Sequence, residues 1–149
     1  IPLGTTANKQ GRIAGKNIVG ELLDFKGILG TSVLKFFDVT IGQTGMNNSS
    51  VDEVNADVRV IRYTANNHAS YYPNVQPMHL CMFVHARTQQ LLGLQIVGGD
   101  GVDKRIDVFA TAMTANMSLK DLSDLDLSYA PPYNGVWDLL QQMANRFSL

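Results

Sequence analysis

The stretch MHLCMFVHARTQQLLGLQIVGGDGVDKRIDVFATAM, residues 78–113, decides the fold. Its opening MHLCMFVHA and the later LLGLQIVGG are short, apolar and rich in branched side chains, and only the polar RTQQ parts them. That pattern predicts two antiparallel strands of a hairpin. After GGDG the period changes: Val102, Ile106, Phe109, Met113 and Met117 recur every three or four residues, while Asp103, Lys104, Arg105 and Asp107 occupy much of the other face. This predicts a strongly amphipathic helix with a solvated charged side. GGDG follows a strand and opens a helix, the context in which a phosphate binds. Asp100 and Asp103 would repel an anion there, so a tight turn is expected, with the aspartates favoured by the helix dipole.

Working outward, VRVIRYTA at 58–65 alternates and predicts another strand, and VLKFFDVTI at 33–41, followed by GQTG, predicts a strand and turn. Ser50-Val51-Asp52-Glu53 has the spacing of a capping box opening a short helix to about Ala56. NNHASYYPNVQP holds two prolines and reads as an exposed loop carrying His68, Tyr71 and Tyr72, the two tyrosines pointing to opposite sides if the segment is extended. Residues 5–20 read as a helix opened by Thr6 or Asn8 and closed near Gly20, and residues 21–30 as a connector. Gly11 and Gly15 leave bare patches on one helix face. Either another backbone or a flat ligand approaches closely there, or the helix is loosely formed. Beyond the central stretch, Ser118 with Asp121 caps a further short helix, and LSYAPPY breaks the chain. Residues 136–147 form a last helix with Trp137, Leu140, Met143 and Phe147 available for burial. The sum is an α+β domain: an antiparallel sheet of about four strands with helices packed on one face. The other face is either solvated or buried by a partner.

Composition narrows the function. The 149 residues suit one compact domain, and 45% hydrophobic against 17% charged residues is enough apolar matter for a core. A net charge of -1 lacks the basic footprint of a nucleic-acid binder. No apolar run approaches the roughly 20 residues of a membrane span, and nothing reads as a signal peptide, so a cytoplasmic setting is expected. Cys81 is the single cysteine; inside an apolar strand it reads as a buried small hydrophobe rather than a nucleophile. His68, His79 and His85 do not form a metal-ligand pattern, so no metal site is expected. The chain begins with Ile1, and IPLGTTAN reads as the interior of a longer sequence. Tyr129-Ala130-Pro131-Pro132-Tyr133 has two readings: prolines that fix two phenols for a site, or a packed turn between helices.

The segments GTTANKQGRIAGKNIVG, GTSVLKFFDVTIGQTG, HASYYP, LLGLQIVGGDGVDKRIDV and LSYAPPY, in this order and spacing, resemble the C-terminal part of flavin-dependent pyridine nucleotide-disulfide oxidoreductases. They are most similar to the coenzyme A-disulfide reductase and NADH oxidase branch. The resemblance implies that residues 1–29 are the terminal helix of an FAD domain plus a connector, and that residues 30–149 are a dimerisation domain. It further implies that Thr6, Ala7 and Asn8 stand where backbone amides meet the flavin. Tyr71 and Tyr129 match two tyrosines that reach across a homodimer into the partner's active site, in supporting roles. The redox cysteine, the dinucleotide-binding glycine motif and the NAD(P)H domain would lie in a preceding part, and Cys81 does not match that cysteine. Glutathione-reductase-like relatives carry a His-Pro…Glu motif near this C-terminal segment. No histidine follows His85 here, which disfavours that branch. Some coenzyme A-disulfide reductases have His at the place of Asn8 and Lys near that of Trp137, so contacts through those positions are left open.

The resulting expectation is a fragment that pairs subunits. Its parent would use FAD and NAD(P)H and act on coenzyme A disulfide, a related persulfide or polysulfide, or oxygen. The isolated chain is expected to bind no stoichiometric FAD and to oxidise no NAD(P)H. The alternatives are a free-standing α+β adaptor or ligand-binding domain and, with little support, an enzyme using His68 with a tyrosine.

Overall fold

The computed structural model describes residues 3–51 and 57–148. Helix α1 (Gly4–Ile18) ends where Gly20 adopts a φ of 94°, a left-handed conformation that suits glycine just past a helix. The Asn17 side chain then exchanges two hydrogen bonds with the Leu23 backbone, at 2.7 and 3.1 Å, and folds the connector back on the helix end. A Cβ at Gly11 or Gly15 would meet nothing within 4 Å, so that face is bare within this chain.

Five strands follow: β1 (Ser32–Phe36), β2 (Val39–Gly45), β3 (Val58–Asn66), β4 (Pro77–His85) and β5 (Leu91–Gly98). They form one sheet in the order β1-β2-β5-β4-β3, antiparallel throughout. Residues 33–41 are therefore two strands rather than one, which raises the expected four strands to five. The chain reverses at Phe37, whose φ of 49° forms a tight turn without the usual glycine. Between β2 and β3 lies α2 (Asn48–Val51), where the Asn47 Oδ1 accepts from the Ser50 N–H at 3.1 Å. The Ser50–Glu53 capping box extends into residues 52–56, outside the described residues.

Helices α3 (Val102–Thr114), α4 (Leu119–Ser123) and α5 (Leu139–Phe147) cover one sheet face. Leu80, Met82, Leu94 and Ile96 of the hairpin meet Val102, Ile106 and Phe109 of α3 and Leu140 and Met143 of α5 in one core cluster. A Cβ at Gly42 would lie 2.6 Å from the Ile106 Cγ1, so its absence is what lets α3 lie close on β2. Ser118 and Asp121 form the expected capping box of α4. Three expectations need correction. The last helix starts at Leu139, capped by Asp138, and Trp137 before it is 55% exposed. Met117 lies beyond the end of α3. Arg105 is on the buried face of α3, not the solvated one.

The other sheet face is open over most of its width. Register places Thr64, His79, Val97, Ile41 and Leu34 in one row across the strands, and Arg62, Cys81, Gln95, Gln43 and Ser32 in the next. A shallow cavity of about 390 Å³ lies among these side chains.

Candidate functional site

Two loops at one end of the sheet carry the tyrosines singled out in the sequence. The first, residues 67–76, joins β3 to β4, and the second, residues 124–138, joins α4 to α5. Their tips meet: the Tyr71 and Tyr129 hydroxyls lie 3.1 Å apart, while the residues themselves are 74% and 46% exposed. The hydrogen bond to Tyr129 raises the Tyr71 pKa above its ordinary value, because losing the proton would cost that bond. The result is a pair of hydrogen-bonded phenols facing outward. With one hydroxyl proton engaged between the two oxygens, the other is free to donate a hydrogen bond to an electron-rich atom such as a thiolate or a carbonyl oxygen.

The loops are not wholly exposed, as NNHASYYPNVQP had suggested. Asn67, His68 and Ala69 are buried, and only the tip stands out. His68 Nδ1 lies 3.1 Å from the Ala69 carbonyl, and its ring packs edge-on against Tyr72 at 5.7 Å between centroids. Tyr72 thus turns inward toward His68 while Tyr71 turns to Tyr129. This leaves His68 as a support of the loop rather than an exposed base.

Beneath both loops sits Arg105, which sequence reasoning assigned to the surface. Its side chain is 1% exposed and pairs with Asp138, 3% exposed, through Nε to Oδ2 at 2.9 Å. Burial lowers its pKa, and the Asp138 charge opposes that shift, so the guanidinium remains charged. Asn67, Asn134 and Asp138 join Arg105 as buried polar residues that the sequence reading passed over. A signal was available: positions 102, 105, 106, 109 and 112 are all buried, so Arg105 falls on the apolar stripe by spacing. GGDG forms the expected tight turn into α3, with Asp103 in the helix's first turn, and it has a further reason. A Cβ at Gly99 would collide with the Gln76 side chain, and Gly101, at a φ of 88°, places its carbonyl 3.1 Å from Arg105 Nη1.

Thr6, Ala7 and Asn8 lie in the first turns of α1, and Thr6 is the one buried residue of that helix. Its N-cap, Leu3, offers no side-chain oxygen and the first turn holds no carboxylate, so the positive end of the helix dipole is not neutralised locally. The Ala7 N–H donates to the Leu3 carbonyl at 3.0 Å, and the Asn8 Oδ1 accepts from Arg12 Nε at 3.0 Å. An uncapped N-terminus with neutral residues fits an electron-rich group such as the pyrimidine edge of a flavin.

Cys81 is half-buried on the open sheet face rather than in the core, and burial pushes its thiol pKa up, away from nucleophilic character. His79 Nδ1 lies 3.0 Å from Thr64 Oγ1, and His85 Nδ1 accepts from the Arg87 and Thr88 N–H groups at 3.3 Å. Among the described residues no group of three His, Cys, Asp or Glu side chains could hold a metal ion. No helix among them is long and apolar enough to cross a membrane.

Residues 31–140 match the family described as pyridine nucleotide-disulphide oxidoreductase, dimerisation domain, and the chain belongs to that family. Among its relatives, the chain is 42% identical over 144 residues to the NAD(P)H sulfur oxidoreductase (CoA-dependent) of Pyrococcus furiosus, covering 97% of this chain and 32% of that protein. It is 34% identical over 144 residues to a coenzyme A disulfide reductase of Staphylococcus aureus, covering 96% of this chain and 32% of that one. The structure of an NAD-dependent persulfide reductase from A. fulgidus superposes with a TM-score of 0.92 at 38% identity, over 98% of this chain and 27% of that one. The chain thus spans about a third of the length of the curated relatives it matches.

Proposed function

We propose that this chain is the subunit-pairing part of an FAD- and NAD(P)H-dependent reductase that acts on a disulfide or persulfide of coenzyme A. The observation that carries the proposal is the pair of exposed, hydrogen-bonded phenols of Tyr71 and Tyr129, built on a domain whose open sheet face suits a second copy. Residues 1–29 would close the flavin domain and residues 30–149 would pair the subunits about a two-fold axis. Val97 and Ile41 supply apolar area on that face, with Gln43, Gln95 and Thr64 as neutral hydrogen-bonding neighbours.

In such a dimer each phenol pair serves the opposite subunit's sulfur centre. When bound, FAD would pass electrons from NAD(P)H to a redox cysteine outside this chain, with the α1 N-terminus at Thr6, Ala7 and Asn8 against the isoalloxazine. Tyr71 and Tyr129 orient the substrate sulfur, and the hydroxyl whose proton is not engaged in their mutual bond donates to the thiolate released as its sulfur–sulfur bond is cleaved.

A mixed-dimer experiment tests the trans arrangement in the full-length enzyme. Subunits carrying both Tyr71→Phe and Tyr129→Phe are combined with subunits whose redox cysteine is replaced by Ser. Neither parent homodimer turns over well, but each heterodimer regains one intact site if the tyrosines act across the interface. Recovery of about half the wild-type activity per heterodimer is expected on that site count. Heterodimers no better than the parents would place both groups in one subunit and overturn the reading.

A further inference from the structure

We infer, building on the reading of Tyr71 and Tyr129 as a working pair, that Arg105 is the positioning residue that keeps the two tyrosine loops in register. It touches neither phenol. A guanidinium carries five N–H donors in a rigid fork. Here all five have acceptors: Asp138 Oδ2 at 2.9 Å from Nε, the Gly101 carbonyl at 3.1 Å and Met78 Sδ at 3.6 Å from Nη1, and the Asn67 carbonyl at 2.9 Å and Asn134 Oδ1 at 3.0 Å from Nη2. The last two matter most, because a single nitrogen holds both loops.

Asn67 is the clasp of the Tyr71 loop. Its N–H donates to the Gln76 carbonyl, and its Oδ1 accepts from the Gln76 N–H, both at 2.9 Å, which closes residues 67–76 at their base. Asn134 does the same work for the Tyr129 loop. Its Nδ2 donates to the carbonyl of Ser128 at 3.3 Å, immediately before Tyr129, and its backbone N–H donates to the Ala130 carbonyl at 3.0 Å. Lys104 adds a second tether from the same turn of α3, donating through Nζ to the Tyr133 carbonyl at 3.0 Å. One hydrogen bond therefore separates Arg105 from the base of each loop, and the spacing of the phenols at the tips follows from the spacing of those bases. A buried ion pair serving only to hold α3 to α5 would need the Asp138 contact alone. The terminal nitrogens go instead to the loops.

Lysine cannot substitute here. Its ammonium is a compact charge with three donors on one atom, so it pairs with Asp138 or reaches the loops, but does not span the fork. Arg105→Lys therefore keeps the buried charge while releasing a loop. Asn134→Ala is the second cut: without adding a charge it removes the Oδ1 that Arg105 Nη2 meets, together with the Nδ2 donor to Ser128.

The test uses this 149-residue chain with its tyrosine Cζ atoms labelled with ¹³C, the Tyr71 signal being assigned with Tyr71→Phe. In the parent chain Tyr71 is expected to titrate above the ordinary tyrosine value and Tyr129→Phe to bring it back, which calibrates the readout. Arg105→Lys and Asn134→Ala are each expected to move the Tyr71 titration to the Tyr129→Phe position while far-UV circular dichroism and cooperative melting persist. A folded Arg105→Lys chain with the parent Tyr71 titration would overturn the inference. Should that variant not fold, a folded Asn134→Ala chain, which lacks the acceptor for Arg105 Nη2, with an unshifted Tyr71 overturns it equally. In the full-length enzyme the same variants are expected to lower kcat about 10- to 100-fold without changing the KM for NAD(P)H, the cost of a misplaced group. If Tyr71→Phe leaves turnover intact, the proposed role of the phenols fails while the nuclear-magnetic readout of Arg105 is untouched.

Discussion

The two faces of the sheet divide the molecule into a part that is complete and a part that is not. On the helix-covered side Met78, Leu80, Met82, Leu94 and Ile96 are buried against α3, α4 and α5, and the one ion pair there among the described residues, Arg105 with Asp138, has every donor of its guanidinium satisfied. On the open side Ile41 and Val97 remain more than a third exposed beside Arg62, Thr64, His79, Cys81 and Gln95. A sheet face meant for water would carry Lys and Glu on alternate positions. Apart from Arg62 and His79, this one carries small, neutral and apolar side chains, a composition that suits an interface centre. The difference is that the chain builds its own hydrophobic core on one face, while on the proposed reading the second face meets the other subunit.

The largest test of that division is Phe109→Ala. A fully buried ring at the centre of the covered face should cost about 3–5 kcal/mol in a denaturant titration, and a loss below 1 kcal/mol would mean that the covered side is not the true core. Next is Gly42→Ala, which forces α3 off β2 by pushing a methyl group into Ile106. A destabilisation of about 1–3 kcal/mol is expected, and an unchanged melting temperature would show that α3 does not press on the sheet there.

Ser118→Ala should cost about 1 kcal/mol by removing the cap of α4. It also changes the acid limb of stability. The Asp121 carboxylate is held below its ordinary pKa of 3.8, first by the Ser118 hydroxyl and then by the Ser118 N–H. Because the folded-state value is the lower one, the contribution is complete above the unfolded value and fades as pH falls through the folded one. Melting curves of Ser118→Ala should therefore lose part of the acid dependence below that value; curves parallel to the parent chain would contradict the assignment. The smallest effect belongs to the open face. Val97→Gln should alter the stability of a single subunit by no more than about 0.5 kcal/mol, yet weaken pairing in sedimentation equilibrium. A large loss of subunit stability would erase the contrast between the faces.

Much of this was open to reading in the chain. The switch from alternation to a three-and-four spacing after Gly98 located the β4–β5 hairpin and α3, and Ser118 with Asp121 located α4. The β1–β2 turn was hidden because Phe37 takes a left-handed φ where a turn is usually announced by Gly or Asn. Arg105 was hidden by its type: a charge is assumed to face water, although its position on the helix stripe said otherwise. Trp137 misled in the reverse direction, since an indole is assumed to be buried and the helix that would have buried it begins two residues later.

Local order in the chain was enough to specify the elements and the segments that carry Tyr71 and Tyr129, because strand and helix periods, caps and turns depend on neighbours a few residues apart. That the two hydroxyls come within 3.1 Å of each other, 58 positions apart, was decided elsewhere. It depends on β3, β4, α3 and α5 packing around one buried guanidinium, whose acceptors are drawn from five separate places in the chain. Such an arrangement exists only after the core has closed and excluded water, when an unpaired polar group becomes costly enough to dictate where its partners stand.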